Sequence, residues 1–354
     1  MSDDKLIAIV VLNYNGYSDT IDCLKSLEDL TYSPYVVVLI DNASIDDSVG
    51  RITDCFSNRF ALHFVDNDDS PSQTVAMFHE GTRDSGSEEY SQLFLVQNRE
   101  NIGFAAGCNQ GIRLALSMGS HYIWLLNNDT VVDSDSLLIL ANYLSDHPAC
   151  QVATPQIRLF NEPDRIWNCG GLLKWYGARK YFFVHRPVTE LPEQEKIDIT
   201  FVTGCAPLIR SSLLQEKGGF TEKFFFGEED YEFSLRMKKA KVKMVCCLKS
   251  VIYHKVGMSV DRSSNDSFIG RIYIHYLNRF INLRSYWPYF FWYGWRLIYA
   301  GYIDRLLRKK TDCRPFDRYR FIKKLMQDSR EMNGVDRQTF LKILNDPSAY
   351  FEKP

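Results

Sequence analysis

Leu6-Ile7-Ala8-Ile9-Val10-Val11-Leu12-Asn13-Tyr14-Asn15-Gly16 is the stretch that sets the architecture of this chain. Residues 6–12 are apolar without interruption, and such a run, rich in β-branched side chains, marks a strand covered on both faces. Asn13-Tyr14-Asn15-Gly16 stops it, and Ser18 stands where it can cap a helix with Ile21, Leu24 and Leu27 on one side. Tyr35-Val36-Val37-Val38-Leu39-Ile40 repeats the pattern and ends at Asp41-Asn42-Ala43-Ser44. Beyond it the periodicity predicts a helix from about residue 46, strands at 61–65 and 93–96, a helix over 103–118 and a strand over 122–126. This alternation predicts an α/β fold built on a doubly wound, mostly parallel sheet. Ligands of such sheets bind beyond the carboxyl ends of the strands. Two polar clusters fall there, Asp41-Asn42 and Asn127-Asn128-Asp129.

Composition narrows the class. With 45% apolar and 24% charged residues among 354, and a net charge of −2, the chain reads as an ordinary globular protein with no bias toward nucleic acid. The charge is unevenly spread: residues 270–354 hold 17 Lys/Arg against 8 Asp/Glu, a net +9 that leaves −11 for the rest. The nine cysteines include no C-x-x-C pair, a poor disulfide or zinc framework that favours a reducing compartment. The acidic start, Met1-Ser2-Asp3-Asp4, and the short apolar run after it do not read as a signal peptide, so a cytoplasmic location is expected. Residues 66–92 carry seven acids and one Arg and read as a surface insertion.

Three clusters carry chemistry. In Leu125-Leu126-Asn127-Asn128-Asp129-Thr130 a carboxylate follows a buried strand, where it can hold a hard divalent cation shared with substrate phosphates; the plain alternative is a turn. Phe224-Phe225-Phe226-Gly227-Glu228-Glu229-Asp230-Tyr231-Glu232 opens a helix with three consecutive acids after an aromatic cluster. Acids suit a helix N-terminus, and Glu232 can pair with Arg236 one turn on. The aromatic neighbours suggest a partly desolvated carboxylate suited to deprotonating a hydroxyl. In the third, His254 ends a strand ahead of the Gly257-Met258-Ser259 turn, a position open to a metal or diphosphate ligand.

Taken in chain order, these motifs resemble the inverting nucleotide-sugar glycosyltransferases of family 2, with the GT-A fold. Val10-Val11-Leu12-Asn13-Tyr14-Asn15, Asp41-Asn42-Ala43-Ser44 and the run from Asn98 through Asn101-Ile102-Gly103-Phe104-Ala105-Ala106-Gly107 to Asn109 match the family's nucleotide half. Leu126-Asn127-Asn128-Asp129 stands at the family's D-x-D position, and Glu229-Asp230-x-Glu232 looks like its E-D-x-D. Phe201-Val202-Thr203-Gly204-Cys205 is similar to the acceptor-side strand, and His254-x-x-Gly257-x-Ser259 completes the set over about residues 5–262. The resemblance implies that Leu12, Asn13, Tyr14, Asp41, Asn109, Asn127 and Asn128 bind the nucleotide, Asp41 accepting an imide N–H from uracil or thymine. It further implies that Asp129 and His254 hold Mg2+ or Mn2+ on the diphosphate and that Asp230 is the general base. Thr203, Gly204, Glu229 and Glu232 would then lie on the acceptor side. Asn127 departs from the family by replacing its first carboxylate, and Glu232 by replacing the second Asp. The Asn127-Asn128-Asp129-Thr130 form looks like a rhamnosyltransferase-like branch.

The implied domains are a catalytic one over 1–265, with a nucleotide half to about 130 and an acceptor half from 131, and a helical extension over 266–354. In the extension, residues 286–302 hold ten aromatics, Trp287, Trp292 and Trp295 among them, followed by Arg305, Arg308, Lys309, Lys310 and Arg314. That stretch is too short and amphipathic to span a bilayer but suits its interface, which would place the protein peripherally on the inner face of the cell membrane beside a glycan or lipid-linked acceptor. Packing on the catalytic domain, or on a second copy in a homodimer, is the competing use of those rings. Two other activities are disfavoured. A nucleotidyltransferase wants a Gly-rich basic loop where Asn13-Tyr14-Asn15-Gly16 stands, and a dinucleotide oxidoreductase wants G-x-G-x-x-G. A non-catalytic nucleotide-sugar-binding relic would not need Asp129, Asp230 and His254 together.

Overall fold

The structure, a computed structural model, describes residues 5–65, 92–256, 265–311 and 313–352. The acidic insertion up to residue 91, Gly257 and Ser259 lie outside the described residues. Strand β1 (Ile7–Asn13) is followed by helix α1 (Tyr17–Glu28), β2 (Tyr35–Asp41), α2 (Ser48–Phe56), β3 (Ala61–Val65) and β4 (Gln92–Gln97). Helix α3 (Phe104–Ser117), β5 (Tyr122–Asn127), β6 (Thr130–Val132), α4 (Ser136–Asp146), β7 (Cys150–Leu159) and β8 (Glu162–Asn168) come next. The hairpin of β9 (Gly171–Leu173) and β10 (Arg179–Tyr181), then β11 (Lys196–Ile199), β12 (Leu208–Arg210), α5 (Ser211–Lys217), α6 (Glu229–Lys239) and β13 (Lys243–His254) complete the α/β part.

The main sheet runs β11-β13-β7-β12-β5-β1-β2-β4-β3, with β6 added on β13 and β8 on β7. Pairings of β1 with β2 and β5, of β4 with β2 and β3, and of β13 with β7 are parallel, so the sheet is mixed and mostly parallel, as the alternation predicted. Because β1 is flanked by β2 on one side and β5 on the other, the winding direction switches at its carboxyl end. Register aligns Asn13 with Asp41 and Leu12 with Asn127, which lines up three strand ends at that switch. Every side chain from Ile7 to Val11 is buried, as the unbroken apolar run requires. Helix α3 approaches β1 through glycine: a Cβ on Gly107 would stand 2.5 Å from Leu12 Cδ1, and one on Gly111 2.3 Å from Val10 Cγ1. One local expectation changes. Helix α1 starts at Tyr17 with Gly16 at its N-cap, so Ser18 lies inside the first turn. The reason is Thr20, whose N–H donates to Gly16 O at 3.0 Å while its hydroxyl donates to Asn13 Oδ1 at 2.8 Å.

The chain divides into two compact units, one of residues 1–102, 106–220 and 233–259, the other of 103–105, 221–232 and 260–354. The second unit contains helices α7 (Asn265–Arg284), α8 (Tyr289–Lys310), α9 (Pro315–Glu331), α10 (Arg337–Asn345) and α11 (Pro347–Glu352). Tyr273, Leu277, Phe280, Trp292, Phe321 and Ile343 form its buried centre. The segment 221–232 is stitched in by backbone bonds: Phe225 N donates to Val335 O at 2.7 Å and Val335 N to Lys223 O at 2.8 Å. Among the described residues no helix is long and apolar enough to cross a membrane.

Candidate active site

At the carboxyl edge of β1 and β2, Asp41 is fully buried, and its charge is compensated by three donors. Asn13 Nδ2 donates to its Oδ1 at 2.7 Å, the Ser44 hydroxyl to the same oxygen at 2.6 Å, and the Ser44 N–H to Oδ2 at 3.0 Å. These bonds hold the turn over Ala43, whose φ of +62° costs a β-carbon-bearing residue on the order of 1 kcal/mol. Asn128 joins the network from the next strand end, its Nδ2 donating to Thr20 Oγ1 at 3.0 Å. Tyr14 is left exposed at the rim. A second ring of amides backs the first: Asn42 Nδ2 donates to Asn101 Oδ1 at 3.0 Å and Asn98 Nδ2 to Asn42 Oδ1 at 3.2 Å. The structure thus brings Asn13, Asp41 and Asn128 together with Leu12 and Asn127 beside them. Asn109 is committed elsewhere, exchanging two hydrogen bonds with the Phe220 backbone at 2.8 and 2.9 Å.

Asp129 follows β5, and the short β6 after it pairs antiparallel with the end of β13, setting His254 opposite Thr130. That register places His254 Nε2 3.0 Å from Asp129 Oδ1, with both side chains buried. Trp167 stands edge-to-face on the imidazole at 4.4 Å, and the buried His254 Nδ1 has no hydrogen-bond partner among the described residues. Lys255 ties the loop down, its N–H donating to Asp129 O at 2.9 Å and its ammonium bridging Asp19 and Asp22 at 2.8 and 2.7 Å. A carboxylate oxygen and an imidazole nitrogen converging at this distance suit a divalent cation of the Mg2+ or Mn2+ kind. Among the described residues no cluster of three or more metal-ligating side chains occurs.

The acidic segment belongs to the second unit. Gly227 and Glu228 both have positive φ, +93° and +70°, which turns the chain sharply into α6. Glu228 is buried against Arg279, whose Nη2 donates to Oε1 at 3.0 Å and whose Nε meets Oε2, with His275 Nδ1 also 3.0 Å from Oε1. The Arg279 guanidinium lies 3.6 Å from the Tyr231 ring centroid. Asn278 Nδ2 donates to Phe226 O and Gly227 O at 3.1 and 3.0 Å, and the Tyr286 hydroxyl donates to Glu232. Arg236 donates to the carbonyls of Lys217, Gly218 and Gly219. Asp230 is the most exposed of the three consecutive acids.

Glu229 is different from its neighbours. Its buried Oε2 has no hydrogen-bond partner among the described residues, and burial first, then the charge of Asp230, pushes its carboxyl from 4.5 up to about 8. Folding therefore takes up a proton here. The stabilisation is complete below about 4.5 and is lost as pH rises through about 8. Glu229→Gln is expected to flatten that loss: denaturant midpoints measured between about pH 5 and pH 9 should fall more steeply for the native chain than for the variant. Parallel curves would place the buried proton elsewhere.

Thr203 is buried in the Phe201-Val202-Thr203 stretch, which is anchored where Val202 N donates to Ser234 Oγ at 3.1 Å. Sequence reasoning did not single out Thr20, Trp167, Lys255 or Arg279. Only Lys255 had a local signal, since it directly follows the polar strand end at His254.

Residues 5–268 match the family model described as "Glycosyltransferase like family 2". Comparison with curated proteins gives no match. Among solved structures the chain is similar to GalNAc-T7 with UDP, GalNAc and Mn2+, with a TM-score of 0.57 and 14% identity over 100% of this chain. It spans only 59% of the length of that protein. It is also similar to the mannosyltransferase PcManGT from Pyrobaculum calidifontis in complex with GDP-Man and Mn2+, at 0.53 and 12% identity over 94% of this chain and 88% of the other. At such identities the likeness is one of fold.

Proposed function

Because the chain belongs to family 2 of the glycosyltransferases and has their GT-A fold, we propose that it moves a sugar, with inversion, from a nucleoside diphosphate donor to a hydroxyl of a glycan or lipid-linked glycan. The observation that carries this reading is the convergence of Asp129 and His254 at 3.0 Å on the strand-end edge that also presents Asn13 and Asp41. Both similar structures are complexes with a sugar nucleotide or its parts and Mn2+, which supports a divalent cation at Asp129 and His254. When bound, Mg2+ or Mn2+ would offset the charge that develops on the departing diphosphate.

The chain's own residues do the rest. Leu12, Asn13 and Tyr14 frame the base. Asp41 Oδ2, which accepts from the Ser44 N–H, keeps a lone pair for the imide N–H of uracil or thymine. Asp41 is covered in the protein alone, so the turn at residues 42–44 gives way when the base enters. Asn127 and Asn128 border the ribose, and Thr203, Gly204, Glu229 and Glu232 shape the acceptor side. Asp230 accepts the proton of the acceptor hydroxyl as its oxygen bonds to the anomeric carbon and the bond to the diphosphate oxygen breaks. Attack opposite the leaving group inverts the anomeric centre. A UDP- or dTDP-hexose or -rhamnose donor, a role in cell-envelope polysaccharide synthesis and a place at the inner membrane face complete the proposal. A donor screen that scores release of nucleoside diphosphate with and without chelator tests it: chelator-sensitive release from a uridine or thymidine sugar is expected. Release only from purine donors would overturn the base assignment. Release from none, given acceptor extracts, would overturn transfer itself.

A further inference from the structure

Helix α8 presents a side that none of the described residues of its own unit covers. Trp292, Trp295, Ile303 and Leu307 point inward and are buried. On the opposite side Phe290 is 79% exposed, Ile298 74% and Leu297 54%, with Tyr293 beside them. Gly294 and Gly301 lie on the same side, and a Cβ on either would meet nothing within 4 Å. Phe316 and Tyr319, near the start of α9, are mostly exposed as well. An exposed patch of this kind marks a binding surface on a protein that stays in solution otherwise.

The cations beside the patch decide what binds. Arg305, Lys309 and Lys310 are exposed at the end of α8 and make no ion pair among the described residues, and Arg314 follows in the turn. Residues 270–354 carry a net +9. We infer that the outer side of α8 and the turn into α9 form a membrane-docking face, which lies in the plane of a bilayer interface and selects anionic lipid. Aromatic rings and leucine-type side chains enter the headgroup boundary while the Lys and Arg stems reach the lipid phosphates. A second copy of the chain would bring two strongly cationic surfaces together, which a lipid surface does not. The inference stands apart from the transfer reaction, because docking is measured without donor or acceptor.

Flotation of the full chain with lipid vesicles tests it. The protein should rise with phosphatidylcholine vesicles containing about one-third phosphatidylglycerol, not with phosphatidylcholine alone, and raised salt should release it. Leu297→Ser/Ile298→Ser should lower the bound fraction at least ~10-fold, and Lys309→Glu/Lys310→Glu should remove the preference for anionic lipid. Both variants should bind a nucleoside diphosphate as the native chain does, which shows that they are folded. Absence of flotation at low salt, or equal flotation by the Ser variant, would overturn the inference. A native dimer that the Ser variant dissociates, with no flotation by either, would assign the face to a second copy instead.

Discussion

Asp129→Ala should abolish the chelator-sensitive part of nucleoside diphosphate binding, weakening it at least ~100-fold in the presence of Mg2+ or Mn2+. Asn127 stands where a second carboxylate would otherwise help, so Asp129 supplies the only negative charge of its motif to the cation. Removal of that charge leaves His254, a neutral donor, to hold a divalent ion alone. Asp129→Asn separates the charge from the packing, since the amide still offers His254 Nε2 a partner across the 3.0 Å contact. The Asn variant should keep its denaturation midpoint and lose the metal-dependent affinity. His254→Ala should weaken the same binding less. Calorimetric titration with and without chelator reads all three, and unchanged affinity in Asp129→Ala would falsify the metal assignment.

The second large effect is on turnover. Asp230→Asn should lower kcat by about 10²- to 10⁴-fold, the range general-base catalysis contributes, while the donor's affinity stays within a factor of about two. Three acids stand in a row, and their surroundings separate them. Glu228 is paired with Arg279, burial pushes the Glu229 carboxyl up, and Asp230 is the most exposed of the three. Arg279→Met would release Glu228 as a competing base only by taking the guanidinium from a buried carboxylate, so that variant should lose stability before it gains any activity. If Glu229→Gln stops turnover and Asp230→Asn spares it, the base is Glu229 and the register of the acidic triplet shifts by one.

Much of this was legible in the chain alone, for a definite reason. Strands β1, β2 and β5 are covered on both faces, so their sequences cannot alternate, and the polar residues that end them stand out. Asp41 and Asp129 announce themselves in that way. Their partners do not. The meeting of Asp129 with His254 depends on a three-residue strand pairing across a separation of 125 residues, which no local pattern encodes. Trp167 and Arg279 are likewise ordinary residues of their own elements that become site neighbours only through tertiary register. Helix starts are subtle in a different sense: Ser18 is a good cap by composition, but the side-chain network at Thr20 and Asn13 moves the boundary two residues earlier than that cap would set it.

The second unit has an implication for heredity and for engineering. Its acidic segment and its helices are far apart along the gene, yet Glu228 faces Arg279, Phe226 and Gly227 are held by Asn278, and Lys223 is bonded to Val335. A chimera that took only the helices of a cousin would import an alien residue opposite the buried Glu228, and an orphaned buried carboxylate costs about 3–5 kcal/mol. Crossovers that separate the two stretches should be rare among viable descendants, and positions 228 and 279 should change together. A working graft must carry residues 221–232 along with the helices, as one cassette in two pieces.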